Sequence, residues 1–150
     1  MIKYFKWFTI FLVLFVLIIF WIAEERKFYC LSEGKCVTVW KNIGGRCYII
    51  PGKYYGVFVP VKNYIQTSNV NNITIYWNTY FQDKIILRCD NDCEIKNNPN
   101  DSMIIKFDKQ IKKILYEPKT IQFDDLANDT EMIAIFIKEN FALDKKGKKL

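Results

Sequence analysis

The chain contains no histidine. That absence removes Ser-His and Cys-His nucleophilic pairs, imidazole ligation of zinc, and the side chain whose ordinary pKa lies closest to neutral pH. Serine is almost as scarce: a Ser-Lys dyad would have to be built from Ser32, Ser68 or Ser102, and none of them sits in a nucleophile motif. Gly/Ser-rich linkers and internal repeats are missing too, so the only boundary falls near residue 27.

What is present first is an apolar run. Residues 7–23, WFTIFLVLFVLIIFWIA, are 17 consecutive positions without a charge. As a helix rising about 1.5 Å per residue they cover roughly 25 Å, near the short end of what crosses a hydrocarbon core of about 30 Å. Lys3 and Lys6 before the run, and Glu24, Glu25, Arg26 and Lys27 after it, can snorkel to the headgroups. A cleaved secretory signal wants small residues at the last and third-last places before the cut. Ala23 is the one small candidate, and Trp21 stands at its third-last place. Cys30 follows Lys27, Phe28 and Tyr29, which is not the small-residue setting of a lipid-bearing cysteine. The expectation is a single-pass signal-anchor, with a stub at 1–6, a transmembrane helix at 7–23 in the lipid bilayer, and a domain at 28–150.

Orientation follows from flanking cations. Lys3, Lys6 and the terminal amine face Arg26 and Lys27, which narrowly favours a cytoplasmic N-terminus. All five cysteines, Cys30, Cys36, Cys47, Cys89 and Cys93, lie beyond the anchor, as in a domain exposed to an oxidising compartment. The domain is therefore expected to be extracytoplasmic, and its length suits one hydrophobic core.

The charge balance is 22 basic against 16 acidic groups. Without the four cations and two carboxylates of residues 1–27, the domain keeps 18 against 14. Much of that excess sits in 138–150, where DKKGKKL reads as a disordered basic tail near 144–150. Nucleic-acid binding would want cations spread over a folded face with interleaved aromatics, so no nucleic acid is expected as a partner.

Strand signals dominate the domain. KCVTVW at 35–40 and CYII at 47–50 flank Asn42-Ile43-Gly44-Gly45 and read as a hairpin. YYGVFV at 54–59, between Pro51-Gly52 and Pro60, is a third strand candidate; NITIYW at 72–77 and KIILRC at 84–89 continue the meander. After NNPND at 97–101 comes a short strand at 103–107. Asp108 then caps a helix expected over 109–116, with Ile111, Ile114 and Leu115 at helical spacing until Glu117-Pro118. Residues 120–123 return to strand composition, and 124–130 read as a polar turn or short helix. EMIAIFIK at 131–138 fits both periods, and a buried strand is preferred. The expected fold is an N-terminal transmembrane helix plus an α+β, mainly antiparallel β domain with one or two short helices.

Cys89 and Cys93 enclose Asp90-Asn91-Asp92 and precede Glu94. A redox pair usually holds two intervening residues at a helix start, which lowers a thiol pKa; this pair ends a strand among carboxylates that would raise one. Asp90, Asp92 and Glu94 supply hard oxygen ligands for calcium, yet fewer than the six or more a full site needs, and no EF-hand spacing is present. A disulfide closing a structural turn is the expectation, with the remaining pairing among Cys30, Cys36 and Cys47 left open and one of the five thiols outside any internal bridge. Zinc held by four thiolates would want a two-residue knuckle, which the spacing lacks.

Aromatics crowd the expected meander, among them Trp40, Tyr48, Tyr64, Tyr76, Trp77, Tyr80 and Phe81. Most are read as core. Tyr54 and Tyr55 are the candidates for contact with a protein or glycan partner, because consecutive strand residues point to opposite faces. No cofactor is implied. The function expected is a membrane-anchored extracytoplasmic binding or protective module without enzymatic activity. The alternative is a membrane-anchored enzyme using Asp/Glu, Lys or Cys chemistry without histidine.

Overall fold

The structure is a computed structural model, and it describes residues 2–23, 25–32, 34–78, 84–91, 93–106, 113–116, 119–122 and 130–150. One helix, α1 (Ile2–Ala23), is followed by strands β1 (Glu25–Ser32), β2 (Lys35–Lys41), β3 (Arg46–Pro51), β4 (Tyr64–Ser68), β5 (Asn72–Asn78), β6 (Ile85–Cys89), β7 (Glu94–Lys96), β8 (Ile104–Lys106), β9 (Lys113–Tyr116), β10 (Lys119–Gln122), β11 (Thr130–Phe136) and β12 (Phe141–Asp144). Over 6–19 the side chains of α1 are exposed, and among the described residues no helix is long and apolar enough to cross a membrane.

Ten strands form two open sheets of five, with no closed barrel. Sheet A has the order β1-β2-β3-β4-β7 and sheet B the order β12-β11-β5-β6-β8. All pairs are antiparallel except β6 with β8, where Ile85 faces Ile104 in parallel register. Alternation along the strands builds the core. Val37, Val39, Cys47, Ile49 and Ile65 of sheet A share one buried cluster with Ile73, Ile75, Leu87, Ile133 and Ile135 of sheet B. β-branched side chains suit this pleated, two-sided packing.

Expected strands with β-branched residues are present: 35–40 in β2, 47–50 in β3, 72–77 in β5 and most of 84–89 in β6, while of the run at 103–107 β8 covers 104–106 and Phe107 lies outside the described residues. The ambiguous run at 131–138 is a strand as far as Phe136, the end of β11, which is paired on both sides by β5 and β12; Ile133 and Ile135 are buried, as is Ile137 in the turn that follows. Between β2 and β3 the Asn42 Oδ1 accepts the N–H groups of Gly44 and Arg46 at 3.1 and 3.0 Å, and Gly45 takes φ 72°.

Three expectations are corrected. Residues 54–59 form no strand; they belong to an irregular connection at 52–63 that crosses the outer face of sheet A. Gly52 turns it away at φ 83°, Tyr54 folds over Gly56 so closely that a Cβ there would collide with its ring, and Pro60 offers no N–H. Part of the helix expected over 109–116 is instead β9, which pairs with β10 from Lys113↔Gln122 to Tyr116↔Lys119; residues 107–112 lie outside the described residues. Four-residue strands on either side of Glu117-Pro118 satisfy their backbone groups as a hairpin, where the helical spacing of Ile111, Ile114 and Leu115 promised only a few turns. The basic terminus read as a disordered tail folds back: Asp144 Oδ1 accepts the N–H groups of Lys146 and Lys148 at 2.9 and 2.8 Å, and Leu150 N–H donates to Ala142 at 2.9 Å. The call on 124–130 falls outside the described residues except at Thr130, which begins β11.

Candidate functional site

The outer face of sheet A is the most differentiated surface of the domain. Arg26, Trp40 and Tyr48 stand opposite one another on β1, β2 and β3. The Arg26 guanidinium lies 3.9 Å from the centre of the Trp40 ring, Trp40 meets Tyr48 edge-on at 6.2 Å, and Tyr48 meets Tyr64 edge-on at 5.9 Å. Such a row gains cation–π and edge-to-face attraction beyond the area it buries. Trp40, Tyr48 and Ile50 form a second buried cluster, closed by Tyr54, Val59 and Tyr64.

Polar clamps hold the 52–63 segment on this face. The Thr38 hydroxyl, wholly buried, donates to Gly52 O at 2.7 Å and accepts the Tyr54 N–H at 2.8 Å. Arg26 donates to the carbonyls of Gly56 and Tyr54 at 3.0 and 3.4 Å, and the Tyr54 hydroxyl donates to Phe58 O at 2.7 Å. At the far end Asn63, held at φ 61°, accepts the Asn98 N–H at 2.8 Å.

The loop so fixed turns apolar side chains to solvent. Tyr55, Val57, Phe58 and Val61 are 71, 78, 82 and 88% exposed, and Tyr55 touches Phe28 with ring centres 5.1 Å apart. Of the two tyrosines singled out in the sequence, Tyr54 is therefore a packing and clamping residue and Tyr55 is the exposed one. Phe28, Val57, Phe58 and Val61 were not anticipated at this surface. For Val57, Phe58 and Val61 the signal lay in KYYGVFVPVK at 53–62, an apolar run bounded by lysines and broken by Gly56 and Pro60.

The cysteines divide into two bridges and one thiol. Cys30 is joined to Cys36 across the β1–β2 hairpin, and Cys89 to Cys93 across the turn after β6, with Cα atoms 6.4 Å apart. Beside that turn Asn91 donates to Asn71 at 2.9 Å, and Asn71 donates to the Thr67 hydroxyl at 2.6 Å. Cys47 is wholly buried in the core, and burial pushes its thiol up to about 12 against a smaller lowering by Lys41. A thiol so protonated is no nucleophile at neutral pH.

For calcium, Asp90 and Glu94 are exposed, Glu94 is paired with Lys96, and Asp92 lies outside the described residues. Among the described residues no three His, Cys, Asp or Glu side chains are grouped as metal ligands. A depression of about 530 Å³ lies against Arg46, Gln66, Ser68 and Glu94, and the one carboxylate on its lining is that of Glu94, which is paired with Lys96.

At the start of β1 the charged residues are tied together. Glu25 pairs with Lys27 at 3.2 Å and Lys41 at 3.9 Å, Asn140 donates to Glu25 at 3.1 Å, and Lys41 hydrogen-bonds Asn140. This network fastens β1 to the turn between β11 and β12, so the strand that leaves α1 is held by both sheets. No family model, curated protein or solved structure matches the chain.

Proposed function

We propose that the chain is a single-pass, membrane-anchored binding or protective module without enzymatic activity, its N-terminus cytoplasmic and its β domain extracytoplasmic, where it meets a protein or glycan partner. The observation that carries this reading is the junction of anchor and domain. α1 runs for 22 residues, and its charge-free part, 7–23, covers roughly 25 Å at about 1.5 Å per residue, near the short end of what crosses a hydrocarbon core of about 30 Å. Among the described residues no helix is long and apolar enough to cross a membrane; the anchor reading rests on the sequence, which carries no charge from Trp7 to Ala23. Only Glu24 then separates the helix from β1, whose hairpin with β2 is closed by the Cys30–Cys36 bridge. Two disulfides accord with an oxidising compartment, and a buried, protonated Cys47 offers no thiol chemistry to the enzyme alternative.

Protease added to right-side-out vesicles tests the topology: the domain should be digested while α1 stays with the lipid. Protection of the domain would invert the orientation, and mature protein beginning near Glu24 would make α1 a cleaved signal. Capture of the intact membrane protein, followed by mass spectrometry, tests the binding role; a partner recovered repeatedly, and lost when the domain is removed, is the expected result.

A further inference from the structure

We infer that the loop at 53–62 is a second membrane contact, seating Tyr55, Val57, Phe58 and Val61 in the interfacial zone of the leaflet from which the domain emerges. The inference rests on the anchor reading of α1 and deepens it. Connectivity fixes where the loop lies. Arg26 is three residues beyond Ala23, the last residue of α1, and three residues of extended chain reach about 10 Å at most. That arginine donates to Gly56 O at 3.0 Å and to Tyr54 O at 3.4 Å, so the loop is hydrogen-bonded to the stretch of chain that has just left the helix. Phe28, two residues further on, carries the ring of Tyr55.

Composition says what covers it. Four side chains within seven residues, each more than two-thirds exposed, are unusual where most other large apolar side chains among the described residues of the domain are interior. Aromatic and β-branched residues bounded by Lys53 and Lys62, both exposed, match an interfacial segment whose cations reach anionic headgroups while its apolar side chains enter the acyl boundary. The loop is also hydrogen-bonded at its start, middle and end by Thr38, Arg26 and Asn63 before it meets anything. Seating it therefore orders little additional chain.

The test uses the full chain in phosphatidylcholine vesicles with and without phosphatidylglycerol. Cys47 is buried, so a maleimide dye on Val57→Cys reports the loop, and one on Lys146→Cys, in the turn after β12, reports an exposed site of sheet B. Flotation of the vesicles first establishes anchoring. The expected result is several-fold stronger quenching of the Val57→Cys dye than of the Lys146→Cys dye by shallow spin-labelled lipids. The quenching should deepen with phosphatidylglycerol and weaken in Lys53→Gln/Lys62→Gln protein. Protein that floats with both dyes equally unquenched overturns the loop contact and leaves the anchor standing. Protein that does not float overturns the anchor reading itself. A Val57→Cys dye whose emission follows protein density, and not spin-labelled lipid, means that a second copy of the chain covers the patch, which also overturns the inference. Phe58→Ser protein, carrying the same dye at 57, should lose part of the quenching without losing flotation; unchanged quenching would remove Phe58 from the contact.

Discussion

The two faces of sheet A are made by alternate residues of the same strands, yet they are closed by different means. On the inner face Val37, Val39, Ile49 and Ile65 meet the isoleucines of sheet B, and nothing directional is needed beyond a regular pleat and complementary volume. On the outer face, among the described residues, Trp40, Tyr48 and Ile50 pack against Tyr54, Val59 and Tyr64 and not against sheet B. They are covered by an irregular segment, which must be held by hydrogen bonds from Thr38 and Arg26 because its backbone has no ladder of its own. A sheet can bury its second side under a loop, but a loop is one chain thick. The side chains that do not fit beneath it, Val57 and Phe58 among them, are left facing outward.

The comparison can be broken most severely at the inner face. Ile49→Ala leaves a cavity in a wholly buried site and should cost about 2–5 kcal/mol in chemical denaturation. A loss below about 1 kcal/mol would mean the sheets are less closely packed than described. Next is the Cys89–Cys93 bridge, which closes a loop of few residues at the edge of the core. Cys89→Ala/Cys93→Ala should lower stability by about 2 kcal/mol, the small end for disulfides. Both thiols found alkylatable in protein from its native compartment would refute the bridge. At the outer face Thr38→Val strands the Gly52 carbonyl and the Tyr54 N–H together. The expected loss is about 1–2 kcal/mol, accompanied by faster proteolysis within 53–62; a loss of stability without that local cleavage would deny Thr38 its part in holding the loop.

The smallest and most gradual effect is on pH. Cys47 and Tyr29 both have folded-state pKa values raised chiefly by burial, Cys47 to about 12 from an ordinary 9.0. A raised value means that the folded state holds its proton where the unfolded chain has lost it. Stability is therefore complete below the unfolded pKa and falls as pH rises from about 9 toward 12. Equilibrium unfolding across that window should show the decline, and Cys47→Ala should flatten part of it; an unchanged slope would place the titration elsewhere.

Legibility in the sequence followed the same division. β2, β3, β5, β6 and β11 could be read because residues with one face in the core repeat every second position, and the run at 131–138 became a strand once β5 and β12 flanked it. β1, β4, β7 and β12 could not. β1 begins with Glu25, Arg26 and Lys27, whose charges hid the strand and which meet Lys41, Asn140 and the Trp40 ring. β7 is three residues long and exists because β4 offers it an edge. Residues 54–59 carried a strand composition, but β3, the strand before them, is already paired on both sides by β2 and β4. Of the candidate site residues, the spacing of Cys89 and Cys93 pointed to a turn, whereas the different roles of Tyr54 and Tyr55 depended on Arg26 and Thr38, residues 28 and 16 positions earlier in the chain than Tyr54.

By itself the sequence determined the charge-free run at 7–23, the cysteines confined beyond it, the absence of imidazole chemistry, and the strands whose alternation is written in β-branched residues, because each of these depends on composition or on neighbours within a few positions. Only the tertiary structure decided that Cys30 pairs with Cys36, that Cys47 is sealed in the core, that two sheets share one interior, and that the segment at 52–63 lies across sheet A with its apolar side chains outward. Those features rest on contacts between residues far apart in the chain, and such contacts exist only after the sheets have closed on each other.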